Sequence, residues 1–377
     1  MRTTVLRVLT VIALVGMPWA SPTMAQPALP DTVEAFEIAL RSWMARYRGG
    51  QAVMAVSYRN RLVLARGYGG ATPGTRMHIA SLSKAITAAC AATLIQDGKL
   101  AFDSKLEEIL PDHFRAPVEP QDKRIRSITV EQLLTNRAGF GSEKRDPFSE
   151  TLVNLTRVKA GAAITPDDIL QGILKEKLTR APGEAYRYSN AGYHVLGMVI
   201  ERVSGRPYAE QCAQAVLEPI GVRNAQLSPA QYLRGAAGGW MLSGPEYLAF
   251  FRIFDPGIDA ILSPATQRWM LSSDGKWMET SPGYFYSLGV FIQPIRPGEF
   301  VIGHTGGYSV NDGAKNGAAL SYGAVVNRTE TGVSWFAAYQ PFYSIEARHE
   351  LSRELRRAAD AVRRWPDDDL FPDFGLK

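Results

Sequence analysis

The sequence predicts an α/β (α+β) fold: a mostly antiparallel sheet, flanked by helices and completed from both ends of the chain, with a mainly helical region inserted. Three observations lead there. Apolar runs of strand length cluster at residues 52–69 and again at 283–340, the stretch between them carries helical spacing and loops, and a helix flanks each strand group. The implied organisation is a leader over 1–25, a discontinuous α/β unit over 26–100 and 282–366, a mainly helical unit over 101–281, and a short acidic tail over 367–377.

The leader reads MRTTVLRVLTVIALVGMPWASPTMAQP, with Arg2 and Arg7 ahead of an apolar run from Val8 to Val15 and a small-residue site ending at Ala25. That is the layout of a secretory signal peptide, and the run falls short of the ~20 residues that span a bilayer. Cleavage after Ala25 is expected, with no integral membrane segment afterwards and an exported, periplasmic or secreted protein as the product. Asp31 to Arg48 follows as a helix that Asp31 can cap and Gly49-Gly50 stop. AVMAVSY and LVLARGYG around Arg59-Asn60-Arg61 read as a β-hairpin. A long helix runs from about Ser81 to Asp97 and is closed by Gly98.

In the middle region TVEQLLTNRAGF, TPDDILQGILKEKL and NAGYHVLGMVIERVSG read as helices. GYFYSLGVFIQ, EFVIGHTG, AALSYGAVVNR and VSWFAAYQ then read as four successive strands, and an Arg-rich helix from about Ile345 to Trp365 ends the pattern. Composition excludes several classes of function. At 46% hydrophobic and 21% charged the chain is ordinary for a globular protein, and its net charge of +5, two units of which sit in the leader, is too small to argue for nucleic acid. The two cysteines, Cys90 and Cys212, both lie in apolar helical stretches, where a bridge and two buried thiols are equally compatible with the sequence.

Ser81-Leu82-Ser83-Lys84 places a hydroxyl and an amine three residues apart, neighbours on a helix at about 5–6 Å between Cβ atoms. A serine needs a base to become a nucleophile, and a lysine kept neutral by burial or by another cation can supply it. Chance gives roughly one S-x-x-K in a chain of this length. A second one, Ser273 to Lys276, lies in an Asp-Gly turn context where helical spacing does not apply. Tyr188-Ser189-Asn190 sits between a Pro182-Gly183 turn and an apolar helix, where a phenol and a carboxamide can face a cleft; Tyr58-Arg59-Asn60 has the same pattern but falls at the hairpin turn. In EFVIGHTGG a β-run leads through His304 to Thr305, Gly306 and Gly307, and strand glycines mark a close approach of backbone or substrate.

The three motifs, in this order and in these helix, loop and strand settings, resemble the serine β-lactamase and penicillin-binding-protein superfamily, most nearly its class C β-lactamases, D-alanyl-D-alanine carboxypeptidases and β-lactamase-fold esterases. The likeness extends to GYGGATPGTRMHIASLSKAIT, DGKLAFDSKLEEILP and PGEAYRYSNAGYHVLGMVIERVSGRPYAEQCAQAVLEPIGV. It implies the β-lactamase/DD-peptidase fold, Ser81 as the acylated nucleophile, Lys84 and Tyr188 handling its proton, and Asn190 orienting the lysine and the substrate carbonyl. His304, Thr305, Gly306 and Gly307 would dock substrate, with the Ser81 and Gly307 amides holding the oxyanion.

His304 departs from the lysine usual in such β-lactamases. A histidine is mostly neutral at pH 7, so the hold on a substrate carboxylate weakens and ester or D-amino-acid peptide hydrolysis is favoured over β-lactam hydrolysis. Lys315, in the loop after the strand, is a candidate substitute charge. The alternative function is a penicillin-binding sensor or peptidoglycan-binding module without turnover. No cofactor and no metal are expected: His349-Glu350 begins like a zinc-protease helix, but Arg353 replaces the second histidine. The expected partner is a small-molecule or peptidoglycan-like substrate. Trp240, Trp277, Tyr284, Tyr286 and Tyr308 are candidate cleft aromatics.

Overall fold

The structure is a computed structural model that describes residues 28–377 except 117–118, 143–144, 160–161, 256, 272–276 and 310–320. The leader, Lys315 and the Ser273 to Lys276 motif therefore lie outside the described residues. A two-residue turn joins β1 (Gln51–Tyr58) to β2 (Arg61–Tyr68), with Arg59 and Asn60 at φ 48° and 67°. Both central residues are left-handed, the type I′ geometry that matches strand twist in tight hairpins.

A short pair, β3 (Met77–His78) and β4 (Met241–Leu242), brackets the helical region. The strands β5 (Met278–Ser281), β6 (Tyr284–Ser287), β7 (Val290–Arg296), β8 (Glu299–Ser309), β9 (Ser321–Arg328) and β10 (Val333–Gln340) follow. The main sheet has eight antiparallel strands in the order β2-β1-β10-β9-β8-β7-β6-β5. Gln51 pairs with Gln340, so the last strand closes directly on the first and the two ends of the chain complete one sheet.

Both faces are covered, which is why β1 reads as a continuous apolar run. Ala52, Met54 and Val56 pack under the Glu34–Arg46 and Ile345–Ala361 helices with Phe36, Trp43 and Leu351, while Val53 and Ala55 alternate into the larger core on the helical side. That larger core is built around the Ser83–Gln96 helix, which is buried on every side from Ser83 to Ala92 and apolar except at Ser83, Lys84 and Thr87 within that span. Cys90 and Cys212 are bonded to each other, with Cα atoms 5.3 Å apart, and tie this helix to the Tyr208–Cys212 helix.

Several boundaries differ from expectation. GYFYSLGVFIQ is two strands, because Gly289 at φ 87° turns the chain between β6 and β7. A side chain there would also collide with the Lys84 carbonyl, 2.6 Å from the position of its Cβ. The first helix starts at Glu34 with Val33 as its cap residue, and Asp31 instead pairs with Arg364 at 2.5 Å. The last helix stops at Ala361, after which Trp365 stacks on Tyr58 with ring centroids 4.4 Å apart. The end of the chain, read as an acidic tail, docks through buried Phe371 and Leu376. Its backbone donates from Leu370 to the Leu62 carbonyl at 2.9 Å.

Candidate active site

Ser81 lies in a 3-10 turn, Ala80–Leu82, immediately before the Ser83–Gln96 helix; the helix was expected to include it. The turn begins with Ala80 at φ 48°, a strained conformation for an alanine. Strain of this kind persists only where surrounding contacts impose it, and here the contact is β8. A Cβ on Gly306 would stand 2.7 Å from the Ala80 Cβ and 2.8 Å from the Ser81 nitrogen, so only glycine lets strand and turn touch.

Lys84, one helical turn on, is fully buried. Its Nζ lies 2.6 Å from the Ala237 carbonyl, 2.8 Å from Asn190 Oδ1 and 3.3 Å from Ser81 Oγ. Burial pulls the amine down to about 7, partly offset by the negative charge of Asp146 and assisted by the positive charge of Arg234. The Tyr188 hydroxyl is hydrogen-bonded to Ser81, and the Tyr188 ring face lies 4.8 Å from Lys84 Nζ. Burial raises the phenol well above its ordinary range despite the Ser81 bond. The lysine meets the ring face rather than the oxygen, so Tyr188 is a neutral phenol here and not a phenolate.

Asn190 is placed by two caps. Ser189 caps the Asn190–Ser204 helix, its hydroxyl accepting from the Gly192 N–H at 3.4 Å, and its own N–H donates to Asn136 Oδ1 at 3.1 Å. The Asn190 N–H donates to Asp146 Oδ2 at 2.6 Å, while Asp146 Oδ1 accepts from the Phe148 N–H at 3.0 Å and caps the Pro147–Val158 helix. The sequence reading missed Asp146 and this helix, although Asp-Pro is a helix-start signal.

His304 lies on the β8 face shared by Ile302 and Gly306, and only 3% of it is exposed. Phe291, Tyr188 and Tyr286 surround its ring at centroid distances of 5.1, 6.1 and 6.1 Å. Its Nδ1 is 2.8 Å from the Thr305 carbonyl oxygen, and Nε2 has no hydrogen-bond partner among the described residues. Burial first, then the Lys84 charge, lowers it to about 3, so it is neutral at physiological pH. Thr305 and Gly307 alternate to the other face: Thr305 pairs with Val325 of the core under the terminal helices, and a Cβ on Gly307 would meet Phe342. They border the cleft through their main chain, since β7 pairs with β8 only as far as Gly303.

The aromatic candidates divide. Trp240 is core, its indole donating to the Tyr208 hydroxyl at 2.9 Å. Tyr286 is buried behind His304, Trp277 packs on Phe285 and Phe300, and Tyr284 is on the surface. Tyr308 lies on the cleft face of β8, two residues beyond Gly306. His349 and Arg353 lie on the Ile345–Ala361 helix, which covers the opposite face of the sheet.

An eight-stranded antiparallel sheet, a helical region on one face, and a serine, lysine, tyrosine and asparagine gathered at their junction define the architecture of serine β-lactamases and penicillin-binding proteins. The Beta-lactamase family model matches residues 39–341, and the chain belongs to that family. It is 27% identical over 191 residues to Protein flp of Staphylococcus aureus (strain COL), 48% of this chain and 36% of that protein. It is 28% identical over 256 residues to a D-aminopeptidase of Cereibacter sphaeroides, 63% of this chain and 46% of that one. The chain thus matches less than half the length of either relative. A penicillin-binding protein homologue from Pyrococcus abyssi has the same fold, with a TM-score of 0.67 at 20% identity over 86% of this chain and 77% of that one.

Proposed function

We propose that the protein is an exported serine hydrolase that forms an acyl-Ser81 intermediate on esters or D-amino-acid peptides, with β-lactams the poorer substrates. The observation that carries this reading is the bonding around Lys84 Nζ. A neutral amine has two N–H bonds and one lone pair. The two shorter contacts, to Ala237 and Asn190, use both N–H groups and leave the lone pair for the Ser81 hydroxyl proton.

Ser81 Oγ attacks the substrate carbonyl carbon as its proton passes to Lys84. The oxyanion is held by the Ser81 and Gly307 N–H groups. Collapse of the intermediate breaks the bond to the leaving group, which takes the proton that Lys84 holds, while the neutral Tyr188 hydroxyl, hydrogen-bonded to Ser81, steadies Oγ as the proton leaves and returns. Water then cleaves the acyl-enzyme by the same route in reverse. The neutral, apolar-walled His304 offers no charge to a β-lactam carboxylate, which favours ester and peptide substrates. The D-aminopeptidase match is in keeping with this preference. Export is supported by the leader pattern and by a cysteine pair bonded in the interior.

A panel of p-nitrophenyl esters, D-Ala-D-Ala peptides and nitrocefin tests the reading. Ser81→Ala is expected to abolish turnover of every substrate the wild type cleaves; full retention would defeat the mechanism. A permanent penicillin adduct without turnover would identify a sensor instead.

A further inference from the structure

Arg234 ends the Pro229–Arg234 turn and immediately precedes Gly235–Gly238, the turn whose Ala237 carbonyl holds Lys84. Its guanidinium carbon lies 4.2 Å from the ring centroid of Tyr308 on β8 and 5.2 Å from that of Phe148 on the helical side. It therefore bridges the two walls of the cleft. Its charge reaches both Lys84 and Tyr322 and acts to lower each, against burial in the case of Tyr322. An arginine is always charged, and in a half-buried setting it ordinarily has a carboxylate partner; among the described residues no ion pair includes Arg234. Aromatic faces fix its plane and leave its edge N–H groups for a planar anion.

The cleft is consequently polarised along β8. Neutral His304 with its aromatic surround stands on one side of Gly306, and the Tyr308–Arg234 pair stands on the other. Gly306 and Tyr308 are two residues apart, roughly 6–7 Å along the strand.

Resting on the serine-hydrolase reading, we propose that Arg234 is a specificity-determining residue that selects substrates bearing a carboxylate about 6–7 Å from the scissile carbonyl, on the side of Tyr308. The His304 side takes an uncharged group. Charge recognition, which the neutral His304 does not supply, thereby falls to the other end of the cleft.

Mono-(4-nitrophenyl) adipate places its carboxylate at about that separation, and methyl 4-nitrophenyl adipate is its uncharged match. The measured quantity is the ratio of their kcat/KM values, which cancels the fraction of correctly folded enzyme. The wild type is expected to favour the free acid. Arg234→Met is expected to reduce the ratio by about ten-fold or more, chiefly through KM of the acid, and Arg234→Lys to retain part of it. Raising salt lowers the wild-type ratio and leaves that of Arg234→Met unchanged. A wild type that does not favour the acid, or an Arg234→Met ratio equal to the wild-type ratio, overturns the inference while leaving the hydrolase reading in place. A wild type that cleaves neither ester and gives no Ser81 adduct with a fluorophosphonate defeats the hydrolase reading and this inference with it.

Discussion

Lys84 has three acceptors around one nitrogen and no exposed surface. Burial suits an amine and the nearby Asp146 charge an ammonium, with the Arg234 charge on the side of burial, and the balance places the group at about 7. A base with that value is neutral above pH 7, so kcat/KM should rise with pH through about 7 and then level. Asp146 favours the charged form; Asp146→Asn should lower the lysine further and move the acid limb to lower pH, read from a pH profile of ester hydrolysis. A limb that stays in place or moves to higher pH would show that Lys84 is not the titrating base. His304 is already neutral across this range and adds no limb of its own. Its motif position is plain in the sequence, but its enclosure by Phe291, Tyr188 and Tyr286 is a tertiary property that no local pattern carries.

Strand β8 and the Ala80–Leu82 turn work as a pair. Gly306 removes the one side chain that would keep them apart, and Ala80 adopts a left-handed conformation to bring Ser81 against the strand. Gly306→Val should therefore cost activity by at least about a hundred-fold and lower the melting temperature, since its Cβ must displace backbone as well as the Ala80 methyl group. Circular dichroism melts together with ester kinetics check this, and wild-type values in both would contradict the close-approach account. At this scale the sequence was most legible where local chemistry decides structure. The Arg59-Asn60 hairpin and the helix after Tyr188-Ser189-Asn190, capped by Ser189, follow from turn and cap chemistry. Legibility failed where a glycine splits an apolar run, as at Gly289, and at Asp146-Pro147, whose helix carries a start signal that the surrounding loop pattern obscured. Arg234 had no signal at all, because its place against Tyr308 and Phe148 depends on three separate segments meeting.

The molecule as a whole is one sheet closed by its first and last strand groups, with the cleft at the seam where the helical region meets β8. None of the helices among the described residues is long and apolar enough to cross a membrane. The Cys90–Cys212 bond joins positions 122 residues apart within the helical core that carries Lys84. Replacing both cysteines with alanine should cost about 2–4 kcal/mol of stability. Thiol titration should find no free thiol in the native protein, and the double variant should melt at a lower temperature than the wild type. Two titratable thiols in the native protein would contradict the pairing. Acylation of Ser81 with Lys84 as its base is tested by fluorophosphonate labelling followed by peptide mass spectrometry on wild type and Lys84→Ala. A single adduct on the Ser81 peptide is predicted, forming faster as pH rises through about 7 and at least about a hundred-fold more slowly in the variant. An adduct on another residue, or hydrolysis of a p-nitrophenyl ester by an enzyme whose Ser81 is never labelled, would contradict the account.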